Sequence, residues 1–478
     1  MAHPDWVLTH KIKGSEIKFI NGNYYLYKVS SRWNKEKKRA EKISGEFIGR
    51  ITPEGLLTRS TGTPQILAKS VSVKEYGASH YLYKEHTDIL QALQTHFPDW
   101  HKELFVLSAY RLLHHAPLKN MPLYYEQSYL SELLPAAQLS DKNITALLRS
   151  VGSQREQIVN CLKALMKGNS FILLDVTHIT SFSEELDLAQ VGYNSQRTFD
   201  PQVNLFFMFS TDLSLPVYYR LLPGNVRDVS AMKLSILESG LQNIIIVADK
   251  GFCSQKNIAD LDEAQLMYLL PLRRNSSLVN YTPLHTNKGQ QLQYFLYKQQ
   301  PIWYYTIQLP DNKRIIVFVN DYLKATEKQD FIRRIENQTK GYDMDTFYQK
   351  QDAFGTLALL TNLPDDYQPE QIYQRYKTRT HIEQLFDAFK NILHADRTYM
   401  RGGAEMEAWL FINFMATVFY YQLYKILTER RLLKKYTPKD ILLHLSGIKT
   451  LKINQNWEIA EIPKKTAELI VKIEKPIT

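Results

Sequence analysis

Over residues 16–58 apolar and polar positions alternate, as in "EIKFINGNYYLYKVSSRW", and Asn21-Gly22 breaks the alternation with a strong short-range hairpin signal. The pattern predicts a small β-rich module over 1–58. From about 85 to 167 the period lengthens to that of helices, in "HTDILQALQTHF", "ELFVLSAYRLLHHA" and "SDKNITALLRSVGSQREQIVNCLKALMKG". Ser140 or Asp141 can cap the third of these, and Gly168 can end it. Short helices with polar linkers suit a helix-turn-helix-like DNA-binding bundle, though many such bundles bind nothing. Residues 59–168 are accordingly expected to form a helical, DNA-binding region.

The pattern then changes. "FILLDVT" (171–177), "VNLFFMFST" (203–211) and "LPVYYRLLP" (215–223) are strand-like runs, followed by a helix over 230–240. "NIIIVADKGF" (243–252) has the continuous apolar character of a buried parallel strand. A helix over 254–265 leads to "LMYLLPL" (266–272). Three strands, helix, strand, helix, strand is the order of a ribonuclease H-like α/β core, here 169–275, and also suits other α/β arrangements. Aromatic alternation in "QLQYFLYKQQPIWYYTIQL" and "KRIIVFVNDYL" predicts a β-rich insertion over 276–353. "FGTLALLTN" (354–362) returns the chain to a second part of the core, 354–428, with Pro369 near the start of a helix. "WLFINFMATVFYYQLYKIL" (409–427) is interrupted by Asn413, Thr417, Gln422 and Lys425, which predicts a buried helix rather than a membrane span. Residues 429–478 form a C-terminal region with a basic patch, "ERRLLKK", suited to dimerisation or DNA contact.

Composition narrows the classes. A chain of 478 residues exceeds one ordinary core. With 59 Lys and Arg against 49 Asp and Glu it carries a formal charge of +10, compatible with a polyanionic partner. Two cysteines, Cys161 and Cys253, exclude a disulfide framework and a cysteine-rich zinc site. The N-terminal residues lack the apolar run of a signal peptide, so a soluble, intracellular protein is expected.

The chemistry concentrates in "YKTRTHIEQLFDAFK" (376–390). On a continuous helix with Tyr376 at zero, Arg379 lies near 300°, Glu383 near 340° and Lys390 near 320°, with Asp387 at about 20°. Leu385, Ile382, Phe389 and Phe386 fall between roughly 180° and 280°, on an adjoining face. A surface helix with an Arg379–Glu383 ion pair would look like this. So would a phosphodiester site, in which the carboxylate holds a divalent cation while the phenol and cations grip phosphate oxygens. Asp175 sits in an apolar strand that does not readily accept an unpaired charge. Asp249 follows the apolar strand "IIIVA", where a parallel strand commonly opens into a site. Each aspartate alone is explained by a turn cap or a lysine partner. Together with Glu383 they describe three carboxylates converging at one end of a sheet. Oxygen ligands of this kind select Mg²⁺ or Mn²⁺ over zinc, and two such ions suit in-line attack at phosphorus.

These residues resemble those of bacterial DDE-class transposases of the insertion-sequence-four group, whose Tyr-x2-Arg-x3-Glu-x6-Lys signature is matched at all four positions by 376–390. The resemblance spans roughly 170–425 and includes the segments around Asp175 and Asp249. It implies that Asp175, Asp249 and Glu383 bind two Mg²⁺ ions, with Mn²⁺ able to substitute. It also implies that Tyr376, Arg379 and Lys390 contact phosphates at the transposon end. Trp303, in the insertion, is the candidate to stack on a flipped base, though strand aromatics are more often core residues. Lys250 could reach DNA or simply be solvated, and His178 is better read as structural than as a metal ligand. The insertion would explain why 134 positions separate Asp249 from Glu383. The implied partners are double-stranded DNA, at the element ends and the target, and a second copy of the chain on paired ends. A ribonuclease H-like nuclease of another role and a non-catalytic, transposase-derived DNA-binding protein are the alternatives.

Overall fold

The computed structural model describes residues 3–35, 37–58, 71–165, 171–192, 199–226, 229–241, 244–248, 253–284, 292–453 and 455–474. Two compact units result, Met1–Val71 and Ser72–Thr478.

The larger unit is built on one mixed sheet. Its main strands are β1 (Phe171–Ser181), β2 (Pro201–Ser210), β3 (Leu215–Pro223), β4 (Ile245–Val247), β5 (Met267–Pro271), β6 (Gln293–Tyr297), β7 (Gln300–Gln308), β8 (Arg314–Asn320) and β9 (Thr356–Thr361). Their spatial order is β6-β7-β8-β9-β5-β4-β1-β2-β3. β1, β2 and β3 form an antiparallel meander, and β4 lies parallel to both β1 and β5. The order of strands and helices read from the sequence over 171–272 is therefore the order found. β1 and β2 are apolar without interruption because both faces are covered: Phe171 to Leu174 and Gln202 to Ser210 are all buried.

The expected β-rich insertion differs in form. β6, β7 and β8 do not make a separate β body; they extend the same sheet through β9. Much of 276–353 is instead helical, in Asp321–Glu336 and Met344–Lys350. The alternation reported the strands correctly, but a strand's pattern does not say which sheet it will join.

The helical region is not an independent body either. The helices Gly77–Glu85, Thr87–His96, His101–His114, Asp141–Gly152 and Arg155–Leu165 share one continuous core with the sheet. His101–His114 and Asp141–Gly152 pack on the 27-residue helix Gly403–Glu429, which is largely apolar and buried along most of its length. Gly152 shows how close this packing is: a Cβ there would lie 1.7 Å from the Ala404 carbonyl oxygen. Ser140 caps its helix as expected, accepting from the Asn143 amide, whereas Gly168 lies outside the described residues. The C-terminal region closes back on the start of this unit, with Lys449–Ile453 pairing antiparallel to Ser72–Glu75. No helix among the described residues is long and apolar enough to cross a membrane.

Arg155 holds four elements together. It donates to Glu238, Glu407 and the Tyr219 carbonyl, and its guanidinium lies over the Tyr218 and Tyr219 rings. Burial raises the pKa of Glu238, but hydrogen bonds from Arg155 and Tyr218 outweigh it and hold the carboxyl below its ordinary range.

The Met1–Val71 unit is an antiparallel four-stranded meander of Ser15–Ile20, Asn23–Asn34, Arg39–Thr52 and Gly55–Thr58. Asn21 (φ 48°) and Gly22 (φ 77°) form the predicted tight turn. Its core is small: Val7, Ile17, Leu26 and Ile51.

One buried group predicts a pH dependence. Burial pushes the His86 imidazole down to about 4, only partly offset by the Leu82 carbonyl and Asp88. Nδ1 contacts that carbonyl at 2.7 Å and so carries the hydrogen, leaving Nε2 buried without a partner against Phe419. The unfolded chain takes up this proton near the ordinary 6.5, the folded chain near about 4. Between those values the unfolded state binds more protons, so stability falls as pH falls, by up to about 1.4 kcal/mol per pH unit, and is flat above the window. His114 and His115, also pushed down to about 4 by burial, act in the same sense. Thermal melts recorded through this window should show that slope, and His86→Asn should make it shallower.

Candidate active site

Asp175 lies on β1 directly opposite Phe207 of β2. Opposed residues of an antiparallel pair project to the same face. The ring of Phe207 therefore marks the face that carries Asp175, and it packs against Phe386 at 5.8 Å, Phe389 at 5.3 Å and Phe414 at 5.9 Å. Two of those rings belong to the signature segment. Phe386 stands three positions after Glu383 on the same helix, where side chains are neighbours. Asp175 and the helix bearing Glu383 thus share one face of the sheet. Val176 donates its amide to Asp175 Oδ1 at 2.8 Å.

The signature segment is not the continuous helix its periodicity predicts. One helix, Pro369–Lys377, ends after Tyr376; a second runs Thr380–Asp387; Ala388–Ile392 is a π-helical turn. At the junction the amides of Thr378, Arg379, His381 and Ile382 bond three residues back, to Arg375, Tyr376, Thr378 and Arg379. The Thr378 hydroxyl donates to the Arg375 carbonyl at 2.6 Å, competing for a group the helical ladder would use. The uniform 100° step therefore fails across 378–380 and again at 388. Tyr376 sits at the buried end of the first helix, Arg379 at the start of the second, Glu383 in its first turn, and Lys390 in the π turn.

Arg379 and Glu383 approach to 3.8 Å, too far for a hydrogen bond, and 63% of the Glu383 side chain is exposed. Glu383 is therefore open to a ligand. Lys390 is half-buried; burial pulls its ammonium below the usual lysine range, partly countered by Asp396. Lys377 is likewise lowered by burial and by Lys298.

Asp249 and Lys250 lie outside the described residues. β4 ends with Val247 paired to Leu173, so Asp249 and Asp175 each follow that pair by two positions in sequence. Among the described residues no three His, Cys, Asp or Glu side chains form a metal-binding group. His178, half-buried, lies opposite Asn204 and three positions from Asp175, which places it on the other face of β1. The polar turn after β3 is held from that face: Asn204 donates to the carbonyls of Gly224 and Val226.

Trp303 sits on β7, with Nε1 donating to Asp321 at 2.9 Å and its ring tilted against Tyr294. Four strands separate β7 from β1, so its strand lies about 24 Å from that of Asp175.

Sequence reasoning missed Arg111. Buried, it donates to Asn413 at 2.8 Å, to the Ala116 carbonyl at 2.9 Å and to the Leu393 carbonyl, tying the end of the π turn to the long helix. Burial lowers it to about 10, still charged at neutral pH. An arginine inside the apolar run "LSAYRLLH" was the available signal.

Removing the Phe207 ring should cost about 3–5 kcal/mol. It should also speed hydrogen exchange in Thr380–Asp387 beyond what global destabilisation explains. Equal protection of that helix in Phe207→Ala and the parent, after correction for stability, would contradict its supporting role.

The transposase for insertion sequence element IS421 of Escherichia coli is 35% identical over 82 residues, 17% of this chain and 22% of that protein. InsL of insertion sequence element IS186A, from Escherichia coli K12, matches with the same identity and coverage. The chain thus spans about a fifth of the length of these curated relatives. A solved piggyBac transposase synaptic complex with hairpin DNA superposes with a TM-score of 0.34 and 11% identity, covering 77% of this chain and 70% of that one. A family profile, the transposase DDE domain, matches residues 166–419, more than half of the 478 positions and the whole of the site described above. The chain belongs to the transposase DDE domain family.

Proposed function

We propose that this protein is a DNA transposase of the insertion-sequence-four type, with a ribonuclease H-like core whose Asp175, Asp249 and Glu383 form the metal-binding triad. The observation that carries the reading is that the Phe207 contacts bring Asp175 and the Glu383 helix to one face of the sheet, within the segment matched by the family. The described donors fit a hard divalent ion: both are carboxylates, one half-buried with an amide donor, the other open to solvent. Bound there, Mg²⁺ or Mn²⁺, as a pair, would supply Lewis-acid stabilisation of the attacking and departing oxygens.

The chain's own residues do the rest. Asp175 and Glu383 concentrate negative charge at the point where the phosphodiester must be activated. Tyr376, Arg379 and Lys390, arranged along the broken helix, hold non-bridging phosphate oxygens and fix the strand for in-line attack. In the first step a water oxygen bonds to phosphorus, the bond to the 3′ oxygen breaks, and that oxygen leaves as a 3′-OH while the phosphate stays on the 5′ end. In the second step the freed 3′-OH bonds to a target phosphorus, the bond from that phosphorus to the target strand's own 3′ oxygen breaks, and that oxygen leaves as a 3′-OH, so one site serves both reactions with a change of nucleophile. Two copies acting on paired ends would couple the two reactions. Trp303, in a strand about 24 Å from that of Asp175, would contact DNA away from the scissile bond.

Purified protein and a plasmid carrying the DNA that flanks its gene, with Mg²⁺ or Mn²⁺, should yield cuts at the element boundary. Asp175→Asn and Glu383→Gln should each lower cleavage by about a thousandfold or more while retaining DNA binding. Cuts scattered without regard to the boundary would point to a general nuclease. Binding without cleavage in either metal would contradict the catalytic reading.

A further inference from the structure

The Met1–Val71 unit carries a feature that the triad chemistry does not use. Its two middle strands, Asn23–Asn34 and Arg39–Thr52, outrun their neighbours. Ser15–Ile20 pairs only as far as Lys28, and Gly55–Thr58 only with Gly49–Thr52. From Val29↔Ser44 to Asn34↔Arg39 they continue as a two-stranded ribbon, six pairs or about 20 Å long. Shifts of register at Leu26/Tyr27 and Tyr27/Val29 mark its base, where bulges bend and twist a hairpin.

The ribbon buries almost nothing. The unit's core lies on the base side, and Trp33 and Ile43 are 62% and 46% exposed. A bare two-stranded hairpin is marginally stable in water, so packing does not account for this length. Its charge is one-sided: residues 30–43 hold six Lys and Arg against Glu36 and Glu41. Lys37 pairs with Glu41 and Lys42 with Glu16. Among the described residues Arg32, Lys35, Lys38 and Arg39 make no ion pair, and all four are exposed.

We propose that this ribbon, Val29–Asn34 paired with Arg39–Ser44, is a DNA-binding arm that enters the major groove of duplex DNA. The inference rests on the transposase reading for the identity of the polyanion. A major groove about 12 Å wide admits a two-stranded β-ribbon. These four exposed cations near the tip are placed to neutralise phosphates flanking the groove, and Trp33, opposite the small Ala40, offers an apolar contact to the DNA.

The test is binding of the full chain to a short duplex from the DNA flanking its gene, followed by fluorescence anisotropy across a salt series. The variant combines Arg32→Ser, Lys35→Ser, Lys38→Ser and Arg39→Ser. Binding should weaken roughly a hundredfold or more at physiological salt, and the slope of log affinity against log salt should fall by about 3 to 4. If the four changes lower the melting temperature, Lys35→Ser with Lys38→Ser, both in the connecting turn, should give about half the slope change. Unchanged affinity and slope in a variant of a chain that binds DNA would overturn the arm and leave the transposase reading standing. Failure of the parent chain to bind any duplex at low salt would overturn both.

Discussion

The structure turns on one aromatic contact. Phe207 stands opposite Asp175 in the sheet and packs against Phe386, Phe389 and Phe414. Rings of this size bury a large area and interlock in few geometries, so the contact fixes distance and register between the sheet and the helices above it. Shifting β2 by one residue would turn Phe207 to the other face. The carboxylate of Asp175 and the helix of Glu383 would then lose their common reference. Apolar packing here positions polar chemistry that it does not itself touch.

The second constraint is electrostatic. A strand buried on both faces cannot carry a carboxylate along its middle without a partner. Asp175 is placed where β1 passes from fully buried to half-buried residues, and it accepts an amide from Val176. Two arginines are likewise held by specific acceptors. Arg111 is satisfied by Asn413 and two carbonyls, and Arg155 by two glutamates and a carbonyl. These charges, Arg111 buried and Arg155 half-buried, fasten the helical region to the sheet and to the long helix, which is why the helices and the core form one body.

Much of this was legible in the sequence. Continuous apolar runs in β1, β2 and β4 gave strands in the right order because burial on both faces leaves a distinctive pattern. The 409–427 helix was recognisable as buried because Asn413 and Thr417 would have been costly in lipid, and both bond backbone carbonyls one turn back. The signature was legible as composition but not as geometry. Thr378 tightens the chain and the π turn at Ala388 adds a residue, and neither effect appears in a uniform helical wheel. Sheet membership of β6 to β8 was also hidden, since edge pairing is decided by tertiary contacts rather than by alternation. Arg111 was passed over because an arginine in an apolar helix has no local signature of its distant partners.

The most direct test of the central claim is anomalous diffraction from crystals of the full chain soaked in Mn²⁺ with an element-end duplex. The account predicts manganese peaks about 2.0–2.4 Å from carboxylate oxygens of both Asp175 and Glu383, with Asp249 completing the set. Ordered carboxylates too far apart to share one ion or a closely spaced pair, with DNA bound, would contradict it.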